Sequence, residues 1–434
     1  MNERVAGINR AGKTRTRKTR VEITRRSFLA YAGAAAGAAA TLPGWLGCGP
    51  VPDVGSLSDV ALAQERFWAM YKDNFLETLP DNRGTIVVPP YSPFAKSEGM
   101  GHAMFFAVER GDWATFNSLI RGLSNFRKAN GLLRWKINTD GSYPVEDENL
   151  FCATETEQNV INALLLAHER TGINRYLKMG RDHLAALWEN ATIDFQGLRL
   201  ILPGDFTGNR YYPISSGEES LCQPGEDGLD CSYIYRVIWS TTHLSPANAR
   251  RFALHHESRD WQRAADDWYT MASLVLATAN EDPGRFRESE MNPMPDWVRL
   301  APRWPNGIGV EEWHPESAEP DEKIMDTLRI PLYVAMDLSP AARAFLINFF
   351  QAVEPDGAII GERSGRYPGG YNPGPEIAIA AYGAGLQAIG QDVTAYRQRV
   401  QILADGSFSQ NGPEYYRDSI CYYAYLLLNN MFPY

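Results

Sequence analysis

The stretch Ser97 to Arg110, SEGMGHAMFFAVER, places one carboxylate at the start of an otherwise apolar helix. Glu98 falls in the first turn, beside two glycines, Gly99 and Gly101, that allow another chain or a ligand to approach the backbone closely. A carboxylate in this position suits a catalytic acid, and it equally suits an acidic residue that only complements the helix dipole. The apolar residues recur at helical spacing and continue round to the other faces, which predicts a helix buried on nearly all sides: Met100, Ala103, Met104, Phe105, Phe106, Ala107 and Val108.

The rest of the chain reads as one helix after another. The helices come as pairs joined by short turns, and long connections rich in Gly, Pro and aromatic residues separate the pairs. We therefore predict an all-α fold, an (α/α)6 barrel of about twelve helices whose long connections form a groove. A solenoid of helical pairs and a two-domain helical protein are the alternatives, and no repeat of about 20 to 50 residues supports the solenoid. The predicted helices cover residues 58–77, 97–110, 113–129, 153–171, 174–191, 246–256, 258–281, 326–337, 340–353, 375–389, 392–404 and 412–430.

Residues 1–48 have the composition of an export signal. Met1 to Arg26 holds nine Lys and Arg against two Glu, and Phe28 to Trp45 is uncharged and rich in Ala and Gly. The stretch Thr24 to Leu29, TRRSFL, is similar to a twin-arginine export motif. Cys48 follows Leu-Gly and is a candidate for acylation, so we expect a periplasmic or extracellular protein that contacts a membrane only through that lipid anchor.

The remaining sequence is predicted to form one domain. Residues 49–57 are a linker rich in Pro and Gly, and residues 58–434 form a single barrel domain that we expect to be monomeric. The whole chain has a net charge of −10, and removal of the basic segment takes away nine minus two positive charges, which leaves −17. A chain this acidic is not expected to bind nucleic acid.

The five cysteines fit an exported protein. Cys222 and Cys231 bracket a short loop and are candidates for a disulfide, whereas Cys152 and Cys421 are either a second pair or two buried thiols. The sequence has no Cys-x-x-Cys pair, and its one pair of adjacent histidines points in two directions on any regular element. We therefore predict no metal site and no cofactor.

Five blocks of sequence carry a resemblance to a known family. They are SEGMG (97–101), GLLRWKI (131–137), CATETEQNVINALLLA (152–167), NPMPDWV (292–298) and MDTLRIPLYVA (325–335). In this order they resemble glycoside hydrolase family 8, from about residue 60 to the end of the chain. The resemblance implies an (α/α)6 barrel that cleaves β-1,4-linked polysaccharides or oligosaccharides with inversion. One carboxylic acid protonates the leaving oxygen while a second carboxylate activates water on the opposite face.

The resemblance also implies roles for four residues. Glu98 matches the general acid, and Asp326 matches the general base. Arg329 is similar to the Arg that accompanies the base, and Trp135 is similar to a tryptophan that stacks on sugar. Judged without the family, Asp326 suits an N-cap of the helix that follows, and Trp135 suits a core tryptophan.

Three positions depart from the family pattern around the cleavage point. The chain reads ATETE where the family reads ATDAD, so Glu155 keeps the sugar-binding acid but moves its carboxylate by about an ångström, an error that can cost ~10²-fold in rate. Asn248 replaces a Tyr that helps to position the water, and His102 replaces an aromatic residue. Within the same block, Thr154 and Glu157 fit a capping box.

These departures leave the acid and the base in place. We therefore expect an endo-acting hydrolase whose substrate is a cellulose-like glucan, with chitosan and xylan as the alternative polymers. The rival interpretation is a glycan-binding protein that has lost turnover. A polysaccharide lyase on the same fold is a third, although no arrangement of Tyr, His and Arg in the sequence supports it.

Overall fold

The structure is a computed structural model that describes residues 57–90, 92–144, 151–205, 210–213, 233–283, 293–303, 307–312, 328–353, 374–406 and 414–433. Within these ranges the chain forms twelve α-helices, as the sequence predicts. Most of their bounds agree with the predicted ones to within a few residues. In chain order they are α1 Leu57–Phe75, α2 Ser97–Glu109, α3 Trp113–Leu123, α4 Thr154–Thr171, α5 Asn174–Ala191, α6 Pro246–His255, α7 Trp261–Glu281, α8 Ile330–Ala335, α9 Pro340–Ala352, α10 Gly374–Ala388, α11 Thr394–Gly406 and α12 Tyr415–Leu428.

The helices form two concentric rings. The inner ring consists of α2, α4, α6, α8, α10 and α12, and each inner helix packs against its neighbours or is hydrogen-bonded to the segment that precedes them. Each inner helix also packs against the outer helices, and for five of the inner helices one outer partner is the next helix in the chain. Helix α12 packs against both α11 and α1, and its contact with α1 closes the ring. This arrangement confirms the predicted (α/α)6 barrel.

Short capped turns join the helices of a pair. The side chains of Asp112, Asp260 and Ser339 accept hydrogen bonds from backbone N–H groups in the first turns of α3, α7 and α9. Gly172 ends α4 in the left-handed conformation, with φ of 68°, which a residue without a Cβ adopts at little cost.

Four small antiparallel sheets lie in the connections. Two of the sheets are hairpins between nearby segments. One pairs β1 (Leu76–Leu79) with β2 (Gly84–Val87), and the other pairs β5 (Thr192–Phe195) with β6 (Leu198–Ile201). A third pair, β3 (Phe94–Lys96) and β4 (Lys136–Asn138), aligns Lys96 with Lys136. The largest sheet has the order β10-β9-β8-β7, from β7 (Arg210–Pro213), β8 (Tyr233–Ser240), β9 (Trp297–Arg303) and β10 (Gly307–Glu312).

The fold decides between the two alternatives for Cys152 and Cys421, a second disulfide or two buried thiols. Cys152 and Cys421 are free, fully buried thiols, and burial raises the pKa of each well above its usual value. Cys48 and the pair Cys222 and Cys231 lie outside the described residues. No described helix has the length and apolar character that crossing a bilayer requires.

Candidate active site

Helix α2 is buried on all sides, as predicted. Its seven predicted apolar residues are at most 2% exposed. The two glycines permit close packing, because a Cβ on Gly99 would lie 2.5 Å from Val87 Cγ1 and a Cβ on Gly101 would lie 2.7 Å from Asn159 Cβ. The first turn of α2 is therefore fixed between a strand and the neighbouring helix.

Glu98 is half-buried in that first turn and is held by a tyrosine from the far end of the chain. The Tyr415 hydroxyl donates a hydrogen bond of 3.0 Å to Glu98 Oε2. Burial, together with the negative charge of Glu98, raises the pKa of Tyr415 well above its usual value. Tyr415 therefore stays protonated and remains a donor to the carboxylate at any ordinary pH.

Ser97 connects the first turns of α2 and α4. Its hydroxyl lies 3.2 Å from the Thr156 hydroxyl, and its N–H donates to the Trp135 carbonyl at 2.9 Å. These contacts place Glu98, Trp135 and Glu155 at the same end of the barrel.

Glu155 is buried, 5% exposed, and both of its carboxylate oxygens are bound. Arg329 Nη1 donates to Oε2 at 2.5 Å, and the Tyr333 hydroxyl donates to Oε1. Arg329 is itself 2% exposed and also donates to the Tyr416 hydroxyl. A buried ion pair with this many hydrogen bonds is held in one geometry, since removal of either charge would leave the other unpaired.

The Arg329 guanidinium extends the network to the connection between β8 and α6. Its Nη2 lies 3.4 Å from Thr242 Oγ1, and the Thr242 hydroxyl donates to Asp296 Oδ1 at 2.6 Å. Asp296 is 1% exposed and belongs to the NPMPDWV block. Four separate stretches of the chain thus converge on Glu155.

The two remaining departures from the family pattern are both buried. Asn248 is 4% exposed and lines a cavity together with Glu155. His102 is fully buried, and its Nδ1 lies 3.1 Å from the Tyr423 hydroxyl. Burial and the positive charge of Arg329 lower the pKa of His102 to about 3, so its ring is neutral at ordinary pH.

Trp135 is half-buried at the edge of the same end of the barrel. Lys96 Nζ lies 3.9 Å from the ring centroid, and Phe151 stacks on the ring at a centroid distance of 5.9 Å and an interplanar angle of 7°. A sugar that stacks on Trp135 must therefore displace Lys96 or Phe151.

The predicted capping box at the start of α4 is wrong. The Thr154 hydroxyl donates to the Leu202 carbonyl at 2.5 Å, and Glu157 Oε1 accepts a hydrogen bond of 2.6 Å from the Leu133 N–H. The N-cap position is Ala153, which has no side-chain cap. Both side chains prefer partners on other segments because α4 begins inside the protein, where backbone groups of those segments need hydrogen bonds.

Several residues of the site were not predicted individually. Tyr333, Asp296, Tyr415 and Tyr416 all lie in stretches that resemble the family, but a resemblance between stretches does not indicate which side chain meets Glu98 or Glu155. Thr242 lies outside the five blocks and has no sequence signal. Asp326, the predicted base, lies outside the described residues, and among those described no group of His, Cys, Asp and Glu could hold a metal ion.

A family model described as Glycosyl hydrolases family 8 matches residues 47–216, which include Glu98, Trp135 and Glu155. That part of the chain is thus similar to glycosyl hydrolase family 8. The chain is 24% identical over 221 residues to Endoglucanase 2 of Ruminiclostridium josui. That alignment covers 50% of this chain but only 39% of the relative.

Solved structures share the fold of this chain. The β-1,3-1,4-glucanase from Paenibacillus sp. X4 is 17% identical, with a TM-score of 0.65, and the match covers 88% of this chain and 95% of that one. Rex8A from Paenibacillus barcinonensis, solved with xylose, is 16% identical, with a TM-score of 0.58 and coverage of 87% and 94%. At these identities the likeness shows the fold alone.

Proposed function

We propose that this protein is a family 8 enzyme, an exported, endo-acting glycoside hydrolase that cleaves a cellulose-like β-1,4-glucan with inversion. Glu98 is the general acid and Asp326 is the general base. The observation that carries the proposal is the half-buried Glu98 carboxylate, which starts an apolar helix at the same end of the barrel as the Glu155–Arg329 pair. Endoglucanases among the relatives support a β-glucan as the substrate class.

Each site residue has a distinct task in this reaction. Protonated Glu98 gives its proton to the leaving glycosidic oxygen, and the Tyr415 hydroxyl holds the carboxylate in position. Glu155, fixed by Arg329 and Tyr333, binds the sugar whose bond is broken. Trp135 stacks on a neighbouring sugar after Lys96 or Phe151 has moved.

Purified protein should be tested on carboxymethylcellulose, lichenan, xylan and chitosan by release of reducing sugar. We expect the largest activity on one of the two glucans. The same assay with Asp326→Asn should give a rate at least ~10²-fold lower if that residue is the base. Activity that survives this change would show that Asp326 is not the base.

A second candidate is a glycan-binding protein without turnover. The burial of Glu155, whose two oxygens are already bound, favours it, because a sugar must compete with Tyr333 and Arg329. Binding of glucan oligosaccharides without hydrolysis would support this candidate. Recovery of turnover in a Glu155→Asp plus Asn248→Tyr variant would confirm that these two departures caused the loss.

Export and anchoring are separate parts of the proposal. Replacement of Arg25 and Arg26 by Lys should retain the protein in the cytoplasm of an expressing bacterium. Cys48→Ala should release a membrane-associated form into the soluble fraction. A protein whose distribution changes in neither case has another route out of the cell or none.

A further inference from the structure

A narrow cavity follows the barrel axis below Glu155. Polar side chains from one face of α4 line it, and Glu155, Gln158 and Asn162 recur about one helical turn apart. At the helical rise per residue, Asn162 lies about 10 Å deeper along the axis than Glu155. The space open to the centre of a water molecule is about 10 Å³, which fits one water and excludes a sugar ring.

Two of the amide groups that line this cavity have buried polar atoms without a hydrogen-bond partner in the described part of the chain. Asn162 is 2% exposed, and within the described part of the chain neither its Oδ1 nor its Nδ2 has a hydrogen-bond partner. Over the same ranges, Nδ2 of Asn159 also has none. A buried amide without partners costs folding free energy, so a ligand that both donates and accepts hydrogen bonds would be retained here.

The upper end of the cavity lies at the site. Asn248 and Thr242 line it there beside Glu155. Asn248 is 4% exposed, so a third asparagine amide lines the cavity at this end.

The lower end approaches the opposite face of the barrel. Phe432 lines the axial cavity and also lines a second cavity of about 720 Å³. That second cavity lies between the α8–α9 turn and the ends of α10 and α12, and it includes Leu338, which is 90% exposed. A single aromatic side chain thus borders both the axial cavity and a space that opens to solvent.

We propose that the axial cavity is a water site, and that its three asparagines hold a water molecule that replaces the water consumed in hydrolysis. The inference rests on the proposed hydrolase function. In each cleavage the oxygen of one water bonds to the anomeric carbon, the base takes a proton from that water, and the proton of Glu98 goes to the leaving oxygen. A polymer bound in the groove would cover the upper end of the cavity. The replacement water would then have to enter from the lower end, near Phe432.

The water site can be tested without activity. In a high-resolution crystal structure we expect an ordered water within hydrogen-bond distance of the Asn162 amide. In Asn162→Leu, whose side chain has a similar volume, the water should be lost and the Tm should not rise. A dry cavity in the wild type, or a clear rise in Tm on substitution by Leu, would overturn the proposal, because an unsatisfied amide is improved by an apolar residue.

The supply of water is tested by steady-state kinetics on the best polymer. Asn162→Leu should lower kcat several-fold and leave KM unchanged, since Asn162 lies too deep to touch the glycan. The matched control, Asn162→Ser, keeps a hydroxyl that can hold water and should stay near the wild-type kcat. An unchanged kcat in Asn162→Leu would overturn the supply of water, whereas a wild type that hydrolyses no polymer would overturn the hydrolase function and leave the crystallographic water to be judged separately.

Discussion

Glu155 and Glu157 lie two residues apart in the first turn of α4, and both are buried, yet they serve opposite sides of the helix. Glu155 faces the axis and pairs with Arg329 from α8's N-cap. Glu157 faces outward and accepts a hydrogen bond from the Leu133 N–H. Residues at i and i+2 do not share a helix face. The same acidic block therefore supplies a side chain of the candidate site, Glu155, and a side chain that holds the neighbouring segment, Glu157.

The outward network stiffens the segment that carries Trp135. His183 Nδ1 lies 3.3 Å from Glu157 Oε2, and Arg127 Nη2 lies 2.9 Å from His183 Nε2. Because the Arg127 guanidinium can only donate, Nε2 accepts and the ring proton lies on Nδ1, directed at Glu157. The comparison teaches that identical carboxylates acquire different tasks from the partners that the fold brings to them.

Of the two carboxylates, loss of the Glu155 charge should lower activity more. Glu155→Gln leaves Arg329 buried and unpaired, so we expect activity to fall by at least ~10²-fold and the free energy of unfolding to fall by about 3 kcal/mol. Initial rates and urea denaturation measure the two effects. The control Glu155→Asp, which restores the family residue, should keep most of the activity; a Gln variant within tenfold of the wild type would contradict the assigned task.

Loss of the Glu157 charge should affect stability more than rate. Glu157→Gln keeps an acceptor for Leu133 but presents an uncharged group to the His183 ring, so we expect the free energy of unfolding to fall by about 2 kcal/mol. We expect kcat to stay within about threefold, with KM raised for long substrates that reach Trp135. Denaturation curves measure the stability effect, and kinetics on short and long oligosaccharides measure kcat and KM. A ~10²-fold loss of kcat would show that Glu157, like Glu155, is needed for the reaction itself.

The buried His102 should make the free energy of unfolding fall at acid pH. Its pKa is lowered to about 3, so between about pH 3 and 6.5 the unfolded state binds more protons, and this contribution to stability is lost as the pH falls through that window. In His102→Phe, the loss of unfolding free energy from pH 7 to pH 5 should be about 2 kcal/mol smaller than in the wild type. Equal losses in both proteins would show that His102 is not held neutral.

The Tyr415 hydrogen bond should have the smallest effect. Tyr415→Phe removes one donor to Glu98 and leaves the ring, so we expect a loss of about 1 kcal/mol in transition-state stabilisation, a few-fold in kcat/KM. Tyr422→Phe is the matched control, because it removes a similar bond to Glu109 on the same two helices but at a distance from the site. An equal loss of kcat/KM in both variants would show that Tyr415 acts only through the stability of α12.

The sequence predicts the helices well because each carries its own apolar periodicity. The short turns and the buried α2 follow from local patterns, and the family resemblance adds the barrel. The four-stranded sheet was not predicted, since β8 and β9 join across more than 50 residues and only their pairing makes them strands. The hairpins at β2 and β6 are different, because their partners lie next to them in the chain.

The site is only partly predictable for the same reason. The sequence blocks predict Glu98, Glu155 and Arg329 as site residues, whereas the hydrogen bond from Tyr415 to Glu98 spans more than 300 residues and has no local signal. The capping box failed because a local pattern was outcompeted by the Leu202 carbonyl and the Leu133 N–H. Local rules predict helices here, and long-range contacts decide which side chains do chemistry.

The most direct test of the central claim compares two substrates in Glu98→Gln. One is the polymer identified by the substrate panel, and the other is a dinitrophenyl glycoside of the matching oligosaccharide, whose leaving group needs no proton. If Glu98 is the general acid, kcat/KM should fall by about 10³-fold on the polymer and by less than about tenfold on the dinitrophenyl glycoside. Equal falls on the two substrates would show that Glu98 is not the acid.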